Sequence, residues 1–391
     1  MTASRRILTF SLVGLSLLIL VTMPAWTWFF EQPESLASSD VTVAVETYAE
    51  GLSMPWGMAF LPDGRMLVTE RGGTIRLVGT NGSVSEALAG VPEVCACGQG
   101  GLLDIALHPE YETNGWIYIT YSDKRVGNNG RDLGYTTLMR ARLDGMALVD
   151  QETLYQADEK FYTRRGQHFG SRIVFDDEGY VYFSIGDRGQ RDQVQDLSVP
   201  HGKVHRLHDD GRVPEDNPFV DTPDAIASIW SYGHRNQQGM AVHPTTRDIW
   251  ATEHGPRGGD ELNVVRKGLN YGWPVITYGI NYNGSSITDL TEKEGMEQPA
   301  THWTPSIAVC GIDFYTGEAF PEWQNSLLVT SLKFSRLERV VLDGDRVVSQ
   351  EIISEPGGRL RDVQTGPDGY IYIAVEAGED NSTIIRLVPA S

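Results

Sequence analysis

The sequence predicts an all-β protein, a six-bladed β-propeller with four-stranded antiparallel blades. A hairpin pattern recurs along the chain, and no long stretch shows the 3.6-residue apolar period of a helix. The composition, with Gly 42, Pro 19, Tyr 16 and Trp 9 among 391 residues, favours turns and strands. The hydrophobic fraction of 40% and the charged fraction of 21% are those of a globular chain long enough to bury a core.

The recurring hairpin has an alternating strand, a turn rich in Pro, Asp or Gly, and a second alternating strand that ends in small or polar residues. It occupies residues 58–73, 105–123, 173–189, 240–258, 312–333 and 363–378. Spacings of roughly forty to eighty residues indicate sheets repeated around a central channel, with the additional length in loops. A pair of β-sandwiches is the alternative fold, but it does not explain the recurrence without a linker between halves.

The first forty residues are predicted to lie outside the propeller, which we assign to residues 41–391 as one domain. Arg5 and Arg6 precede an apolar run over residues 7–30 that is long enough to span a bilayer, and no clear Ala-x-Ala cleavage site follows. This pattern is typical of a signal peptide, either removed or kept as an N-terminal membrane anchor. It predicts a periplasmic or otherwise extracytoplasmic protein. A buried core helix is the alternative interpretation.

The charge balance restricts the ligands that the chain can bind. Lys+Arg 32 against Asp+Glu 52 give a formal net charge of −20. Nucleic acid is therefore an unfavourable partner, because phosphate binding requires a basic face. Any anionic ligand would need a local cluster of arginines and lysines.

The three cysteines are too few for a disulfide framework. Cys95 and Cys97 are separated by one residue, so a bridge would close a very small loop, which an oxidising compartment allows and the sequence leaves open. Binding of a metal through these thiols would need more ligands nearby. Cys310 is predicted to be a small buried apolar residue.

Distinctive polar residues precede the first strand of several repeats at similar offsets. His168 lies six residues before Val174, and Arg235 lies six before Ala241. Equivalent positions in a propeller share one height and radius, so we expect such side chains to converge at one end of the axis. The set consists of Gln99, His168, Arg235, Asn236, Arg359 and Arg361, with Lys333 and the Gly255-Pro256 turn at hairpin ends. The pattern indicates a pocket for an anionic or carbonyl-rich ligand.

Each of these residues also has a structural interpretation when taken singly. A Gln, an Asn or a His at a strand start often satisfies backbone groups, and Arg359 and Arg361 could form surface ion pairs. The clustering at equivalent positions favours a binding site. No dinucleotide-binding, P-loop, nucleophile-elbow or HExxH motif is present, so nicotinamide and serine-hydrolase chemistry have no support.

At these residues the chain resembles the soluble quinoprotein sugar dehydrogenases of the glucose/sorbosone dehydrogenase family. The resemblance extends from about residue 45 to the C-terminus, and individual motifs are weak while their ordered series is specific. The motifs are GQGGLLDIALHP, GQHFGSRIVFDD, YGHRNQQGMAVHP, EHGPRGGDELN, NYGWP, SLK and RLRDV. The resemblance implies a six-bladed propeller that binds pyrroloquinoline quinone (PQQ) through calcium and oxidises aldose sugars to lactones.

The resemblance also implies a role for each residue. His168 would be the general base that takes the proton of the anomeric hydroxyl. Arg235 would stabilise negative charge on the quinone oxygen that receives the hydride. The remaining cofactor contacts would come from Gln99 and Asn236 on its polar edge, from Lys333, Arg359 and Arg361 on its three carboxylates, and from Tyr282.

Two calcium sites follow from the same resemblance. The PQQ calcium would be bound by the backbone carbonyls of Gly255 and Pro256, cofactor atoms and water, and it would polarise the quinone. A second, structural calcium would use Glu261 and the backbone of Tyr271. Both sets supply the hard oxygen ligands that calcium prefers.

Departures from the glucose-oxidising branch favour the aldose sugar dehydrogenase branch, with a more open pocket and a broad substrate range. Gln167 precedes the histidine where that branch has an Asp, and the segment PSIAVCGIDF lacks its substrate-facing aromatic pair. Electrons would pass to an external acceptor, namely a cytochrome, a quinone or an added dye. Both a monomer and a dimer are compatible with the sequence.

Two other functions use a propeller. A calcium-dependent lactonase or esterase would place several Asp, Asn and Glu side chains around its metal, whereas this ring is rich in Arg and Lys. A non-enzymatic scaffold that binds peptides or glycans would leave the clustered cations without a buried partner, which is unfavourable by several kcal/mol for each ion.

Overall fold

The computed structural model describes residues 41–390, and their strands form six four-stranded antiparallel sheets. The all-β six-bladed propeller is therefore confirmed. β1 (Val43–Leu52) belongs to the last blade, and each other blade uses consecutive strands. Blades 1 and 2 contain β2 (Pro55–Phe60), β3 (Met66–Glu70), β4 (Thr74–Val78), β5 (Val84–Ala87), β6 (Leu102–Leu107), β7 (Trp116–Val126), β8 (Asp132–Asp144) and β9 (Ala147–Tyr155).

The other four blades follow the same order. Blades 3 and 4 contain β10 (Ile173–Phe175), β11 (Val181–Ile185), β12 (Lys203–Leu207), β13 (Ile229–Tyr232), β14 (Gln237–Val242), β15 (Ile249–Glu253), β16 (Asp260–Val265) and β17 (Thr301–Trp303). Blades 5 and 6 contain β18 (Val309–Phe314), β19 (Leu327–Ser331), β20 (Leu337–Asp343), β21 (Arg346–Ser354), β22 (Arg359–Thr365), β23 (Ile371–Glu376), β24 (Ser382–Pro389) and β1.

Helical structure in the described residues is limited to single turns. These are α1 (Tyr111–Asn114) and 3₁₀ helices at Glu159–Phe161, Arg191–Gln193 and Pro321–Trp323. Within residues 41–390 no helix is long and apolar enough to cross a membrane. The predicted signal peptide or anchor over residues 1–40 lies outside the described residues.

The turns show why the hairpin pattern recurs. Residues 62–64 and 367–369 are both Pro-Asp-Gly, and Gly64 and Gly369 have φ values of 84° and 79° that only glycine adopts readily. In the first of these turns the Asp63 carboxylate accepts a hydrogen bond from the Arg65 backbone N–H at 3.1 Å. The local residues therefore determine the reversal between the first and second strand of these blades.

The first strands of the blades surround the axis. Each of β2, β6, β10, β14, β18 and β22 contacts the first strand of the next blade, and β22 contacts β2, so the circuit is closed. All six line an axial cavity of about 550 Å³. Antiparallel pairing of β1 with β24, from Val43 opposite Pro389 to Leu52 opposite Ser382, completes blade 6 with the N-terminal strand.

A buried ion cluster of Asp104, Arg172 and Asp362 borders this axial cavity. Arg172, 4% exposed, donates hydrogen bonds to Asp362 at 2.8 Å and Asp104 at 3.0 Å. Its other nitrogens donate to the carbonyl oxygens of Gln238 at 2.6 Å and Arg361 at 3.0 Å. One guanidinium from blade 3 thus connects the first strands of blades 2, 4 and 6.

The two carboxylates of the cluster are also bound by main-chain donors. Met58 N–H donates to Asp362 at 3.0 Å, and Ile173 N–H donates to Asp104 at 2.8 Å. Burial raises the pKa of both carboxyl groups, and the charge of Arg172 opposes that shift. The cluster therefore depends on the arginine to hold two carboxylates away from water.

Replacing Arg172 with methionine is expected to destabilise the protein by about 3–5 kcal/mol, because two buried carboxylates lose their cation. The measurement is the free energy of unfolding in urea. Arg247→Met is the matched control, since Arg247 forms an exposed ion pair with Asp177, and such a pair contributes about 0–1 kcal/mol. Equal losses in the two variants would contradict a structural role for the axial cluster.

Candidate active site

Most of the predicted site residues line adjacent cavities at one end of the axis. The His168 cavity, of about 370 Å³, is bounded by residues that include His168, Arg235, Pro256 and Tyr282. The Arg361 cavity, of about 120 Å³, is bounded by residues that include Gln99, Asn236, Arg359 and Arg361. The structure therefore brings residues from blades 2, 3, 4 and 6 together, as the offsets before the repeats predict.

His168 is paired with a carboxylate that sequence analysis did not identify. Its Nδ1 lies 2.6 Å from Asp187 Oδ1, and the Asp187 side chain is 2% exposed. Burial lowers the pKa of His168, the hydrogen bond with Asp187 opposes that shift, and the charge of Arg235 adds to it. The imidazole is therefore neutral at neutral pH, with Nδ1 directed to the carboxylate and Nε2 available to accept a proton.

The carboxylate of Asp187 is held ionised by its own contacts. Its Oδ1 also accepts a hydrogen bond from Gly189 N–H at 2.7 Å, and its Oδ2 accepts one from Trp273 Nε1 at 2.9 Å. Burial would raise the pKa of Asp187, but the contacts with His168 and Arg235 outweigh it, and the pKa lies below its ordinary value. Asp187 is thus suited to orient the imidazole and to stabilise its protonated form.

Gln99 and Asn236 contact the backbone around His168. The Gln99 side-chain oxygen accepts the His168 N–H at 2.7 Å, and the Asn236 side-chain oxygen accepts the Gly170 N–H at 3.1 Å. A Cβ on Gly186 would lie 2.5 Å from the His168 carbonyl oxygen, so this close approach of two backbones requires glycine. The amide oxygens of both side chains are bound to the protein. Gln99 and Asn236 can therefore bind a ligand through their NH₂ groups.

Arg235 also borders the His168 cavity. Its guanidinium donates to the His254 carbonyl oxygen at 2.7 Å and lies 5.3 Å from the centre of the Trp273 ring. Its Nε is buried without a hydrogen-bond partner. Glu253 accepts the Arg235 backbone N–H at 2.7 Å. The arginine is therefore positioned by its neighbours while retaining capacity to donate to a bound ligand.

Arg359 and Arg361 share a carboxylate that sequence analysis also missed. Arg361 is 8% exposed and donates to Glu376 at 2.7 Å, whereas the Arg359 side chain is 51% exposed and lies 3.7 Å from the same group. The ion-pair interpretation of these arginines is thus correct in part. Glu376 is the only carboxylate within salt-bridge distance of either guanidinium among residues 41–390, so the Arg361 cavity keeps a positive excess.

Lys333 and Tyr282 lie at the margin. The Lys333 side chain is exposed, and its Nζ donates to the Ser306 carbonyl oxygen at 3.3 Å, so the lysine is not part of the cavity walls, although its neighbour Leu332 is. Tyr282 borders the His168 cavity with 74% of its surface exposed. Both side chains would have to turn toward a bound molecule to contact it.

The Gly255-Pro256 turn is fixed by Asp260. The Asp260 carboxylate accepts the Gly255 N–H at 2.9 Å and the Ser306 hydroxyl at 2.8 Å. Pro256 borders the His168 cavity, and Gly255 borders a small neighbouring cavity of about 10 Å³. The turn is therefore rigid, and it lies beside Arg235, which borders both cavities.

That small cavity is also bounded by Glu253, Glu261 and Tyr271. Asn263 Nδ2 donates to Glu253 at 3.0 Å and to Glu261 at 3.2 Å, which places the two carboxylates side by side. Burial and the charge of Glu253 raise the pKa of Glu261 to about 8. No group of three or more His, Cys, Asp or Glu suited to a metal occurs in residues 41–390, so a cation here would depend on backbone oxygens as well.

The structure answers the question about the cysteines. Cys95 and Cys97 form a disulfide, and Cys310 is a free, buried thiol as expected. The bridge lies in the loop that leads to Gln99.

The fold and the site define the class as a propeller dehydrogenase with a histidine–aspartate pair facing an arginine. The model of the glucose/sorbosone dehydrogenase family matches residues 52–386, and the chain belongs to this family. It is therefore an oxidoreductase that acts on CH–OH groups of sugars. Membership of this family favours sugar oxidation over the lactonase and scaffold alternatives.

Individual relatives agree with this assignment. Aldose sugar dehydrogenase YliI of Escherichia coli is 42% identical over 359 residues, which cover 91% of this chain and 95% of that protein. Quinoprotein glucose dehydrogenase B of Acinetobacter calcoaceticus is 28% identical, with 82% of each chain covered.

Solved structures show the same fold. The soluble aldose sugar dehydrogenase of Escherichia coli, in its apo-form, has a TM-score of 0.83 at 41% identity over 89% of this chain and 100% of that chain. The PQQ-bound aldose sugar dehydrogenase of Streptomyces coelicolor has a TM-score of 0.72 at 28% identity over 89% of this chain and 98% of that chain.

The pH dependence of sugar oxidation should reflect the neutral state of His168. As pH falls through its pKa, the imidazole binds a proton and can no longer accept one, so kcat/KM is expected to fall with an apparent pKa below 6.5, the ordinary value. The measurement is kcat/KM for an aldose across the pH range in which the fold persists. An acid limb above that value would contradict the assignment of His168 as the base.

Asp187→Asn tests the partner of the base. The amide cannot hold the same imidazole tautomer, so kcat is expected to fall by roughly 10²- to 10⁴-fold. Loss of the negative charge also moves the acid limb of kcat/KM to lower pH, because Asp187 opposes the lowering of the His168 pKa. A variant with unchanged kcat and an unchanged pH profile would show that the carboxylate is only structural.

Proposed function

We propose that this protein oxidises aldose sugars at the anomeric carbon to lactones, with PQQ as hydride acceptor and calcium as its partner ion. The observation that carries the proposal is the His168 cavity, where a neutral histidine backed by Asp187 borders the same cavity as Arg235. Named relatives support it, since one solved neighbour is described as PQQ-bound and one relative as a quinoprotein. An external acceptor, either a cytochrome or a quinone, would take the electrons onward.

The donors at the site fit PQQ, which has three carboxylates and an ortho-quinone. Arg71, Arg359 and Arg361 border the Arg361 cavity, and Glu376 is the only carboxylate in its lining. The Nε atoms of Arg235 and Arg361 are buried without hydrogen-bond partners. A polyanionic ligand would supply the missing acceptors and balance the charge, with Lys333 adding a further cation at the margin.

The residues of this chain would carry out the proton chemistry. His168 Nε2 would accept the proton of the anomeric hydroxyl, while Asp187 holds Nδ1–H and stabilises the imidazolium. Bound PQQ would receive the hydride from the anomeric carbon. Arg235 would donate hydrogen bonds toward the oxygen on which negative charge develops, and the NH₂ groups of Gln99 and Asn236 would orient the cofactor edge. Tyr282 would cover it from the rim.

The calcium ligands would be backbone oxygens of the Gly255-Pro256 turn. Gly255 and Pro256 would bind the PQQ calcium through their carbonyls, and the ion would supply Lewis-acid charge next to the quinone. Glu261 and the Tyr271 backbone would bind a second calcium. The adjacent carboxylates of Glu253 and Glu261 fit a cation, because burial and the charge of Glu253 raise the pKa of Glu261 and a cation would oppose that shift.

The substrate range and the location complete the proposal. Gln167, uncharged, precedes the base and its side chain is exposed beside an open cavity, which favours several aldoses over strict glucose specificity. The Cys95–Cys97 disulfide supports a periplasmic or extracytoplasmic location. Residues 1–40 would serve as the signal peptide or the membrane anchor.

Reconstitution tests the cofactors. The protein, freed of ligands by chelation and dialysis, is expected to reduce a dye with an aldose only when PQQ and calcium are both added. Omitting either one should leave activity at background, and magnesium in place of calcium should restore little of it because its smaller coordination sphere fits carbonyl ligands poorly. Equal dye reduction without PQQ would contradict the proposal.

Two single substitutions separate catalysis from cofactor binding. His168→Ala is expected to bind PQQ with a dissociation constant near that of the wild type and to lose roughly 10²- to 10⁴-fold in kcat. Lys333→Ala is expected to raise the PQQ concentration that gives half-maximal activation by about tenfold, because one charged hydrogen bond to the cofactor is lost. At saturating PQQ its kcat should be nearly unchanged. The reverse pattern would show that the two roles are misassigned.

A further inference from the structure

The loop that carries His168 has an unusual backbone. His168 and Ser171 have φ values of 54° and 98°, in a region that residues with side chains adopt uncommonly. Such conformations persist only where the surroundings determine them, and they concentrate at active sites. Gln99 and Asn236 bind the N–H groups of His168 and Gly170. These contacts leave the carbonyl groups of the loop to be held by something else.

Arg188 holds two of those carbonyls, whereas Gly166 and Phe169 are bound by Gln99 N–H and by the Thr136 hydroxyl. Its guanidinium donates to the carbonyl oxygen of Gln167, to that of Arg165 at 2.7 Å and to that of Gly134 at 3.3 Å. The same group lies over the ring of Phe169, with 3.4 Å between its carbon and the ring centre. One side chain thus contacts the residues immediately before and after His168 and connects them to the start of blade 2's third strand.

The environment of Arg188 is unusual for an arginine. Its side chain is fully buried, its Nε has no hydrogen-bond partner, and no carboxylate lies within 4.0 Å of its nitrogens among the described residues. Burial lowers the pKa of Arg188 to about 10, so the group stays charged at neutral pH. A buried cation that is bound only by carbonyls and by the rings of Phe169 and Tyr135 is unfavourable for stability, which points to a role in function.

Arg188 also follows Asp187 directly in the chain. Asp187 binds the His168 ring, and Arg188 binds the backbone that precedes His168 and the ring of Phe169 that follows it. We propose that Arg188 is a positioning residue that fixes the loop 165–169 so that the His168 imidazole stays between Asp187 and the cavity. The inference rests on the proposed role of His168 as the base.

The geometry requires arginine rather than a generic cation. A planar fork can bind three carbonyl oxygens and stack on Phe169, whereas the ammonium of lysine is a point charge that cannot do both. Arg188→Lys keeps the charge and removes the fork. Arg206→Lys is the matched control, because Arg206 is 4% exposed and stacks on Tyr180 at 3.7 Å in the same blade, away from the cavity.

The first experiment needs no activity and no cofactor. Hydrogen exchange by mass spectrometry on the apo protein should show that a peptide covering residues 165–171 is protected in the wild type and in Arg206→Lys. In Arg188→Lys the amides of this peptide should exchange at least about tenfold faster. A tenfold change corresponds to the loss of about one hydrogen bond from the local stability of the loop. A loop that exchanges like free coil in the wild type, or equally in both variants, would overturn the inference.

The second experiment separates positioning from folding. With kcat expressed per bound PQQ, Arg188→Lys is expected to lose about 10²-fold, the usual effect of displacing a reacting group by about 1 Å, while KM and PQQ affinity change less than about threefold. Arg206→Lys should retain kcat. A fully active Arg188→Lys with a loosened loop would also overturn the inference. If the wild-type protein were inactive with PQQ, the proposed function would be contradicted instead. The hydrogen-exchange experiment would then still test whether Arg188 fixes the loop.

Discussion

Pairing of β1 with β24 is the constraint on which the rest of the structure depends. It joins residues from opposite ends of the described chain, as in Glu46 opposite Arg386, and closes six sheets into a ring. Radial repetition of this kind leaves only short, protected sheet edges. It also makes the first strands contact one another around the axis. Because these strands all begin at the same end, the segments that precede them meet there, and the site is a consequence of closure.

Arginines connect the blades in the interior of an acidic protein. Arg172 joins the first strands of blades 2, 4 and 6 on the axis, and Arg188 joins the His168 loop to blade 2. Arg235 and Arg361 face cavities above the axial cluster. Burial and the charges of Arg235 and Arg188 favour a neutral imidazole at His168, and the contacts with His168 and Arg235 favour an ionised carboxylate at Asp187 despite its burial. The same electrostatic environment therefore suits a base and an anionic ligand.

Much of the site could be predicted from the positions that precede the repeats. The residues that were missed share a different position in the blade. Gln99, His168, Asn236 and Arg361 precede or begin first strands, and counting back from each hairpin finds them. Asp187 and Glu376 come at the ends of second strands, β11 and β23, where only the Gly255-Pro256 turn and Lys333 were considered. The segment IGDRG at the end of β11 occupies the position that EHGP occupies at the end of β15. This equivalence could have identified Asp187 as a site residue. Arg188 gave no signal, since its partners are carbonyl groups.

The amino-acid sequence by itself determined the hairpins, their number and the polar character of the residues before them. Those properties follow from period-two alternation and from turn residues that act over a few positions. Tertiary structure alone decided which side chains touch: that Asp187 meets His168, that Glu376 is shared by two arginines, and that Lys333 binds the Ser306 carbonyl. These contacts depend on distances between loops of different blades, which local patterns do not encode.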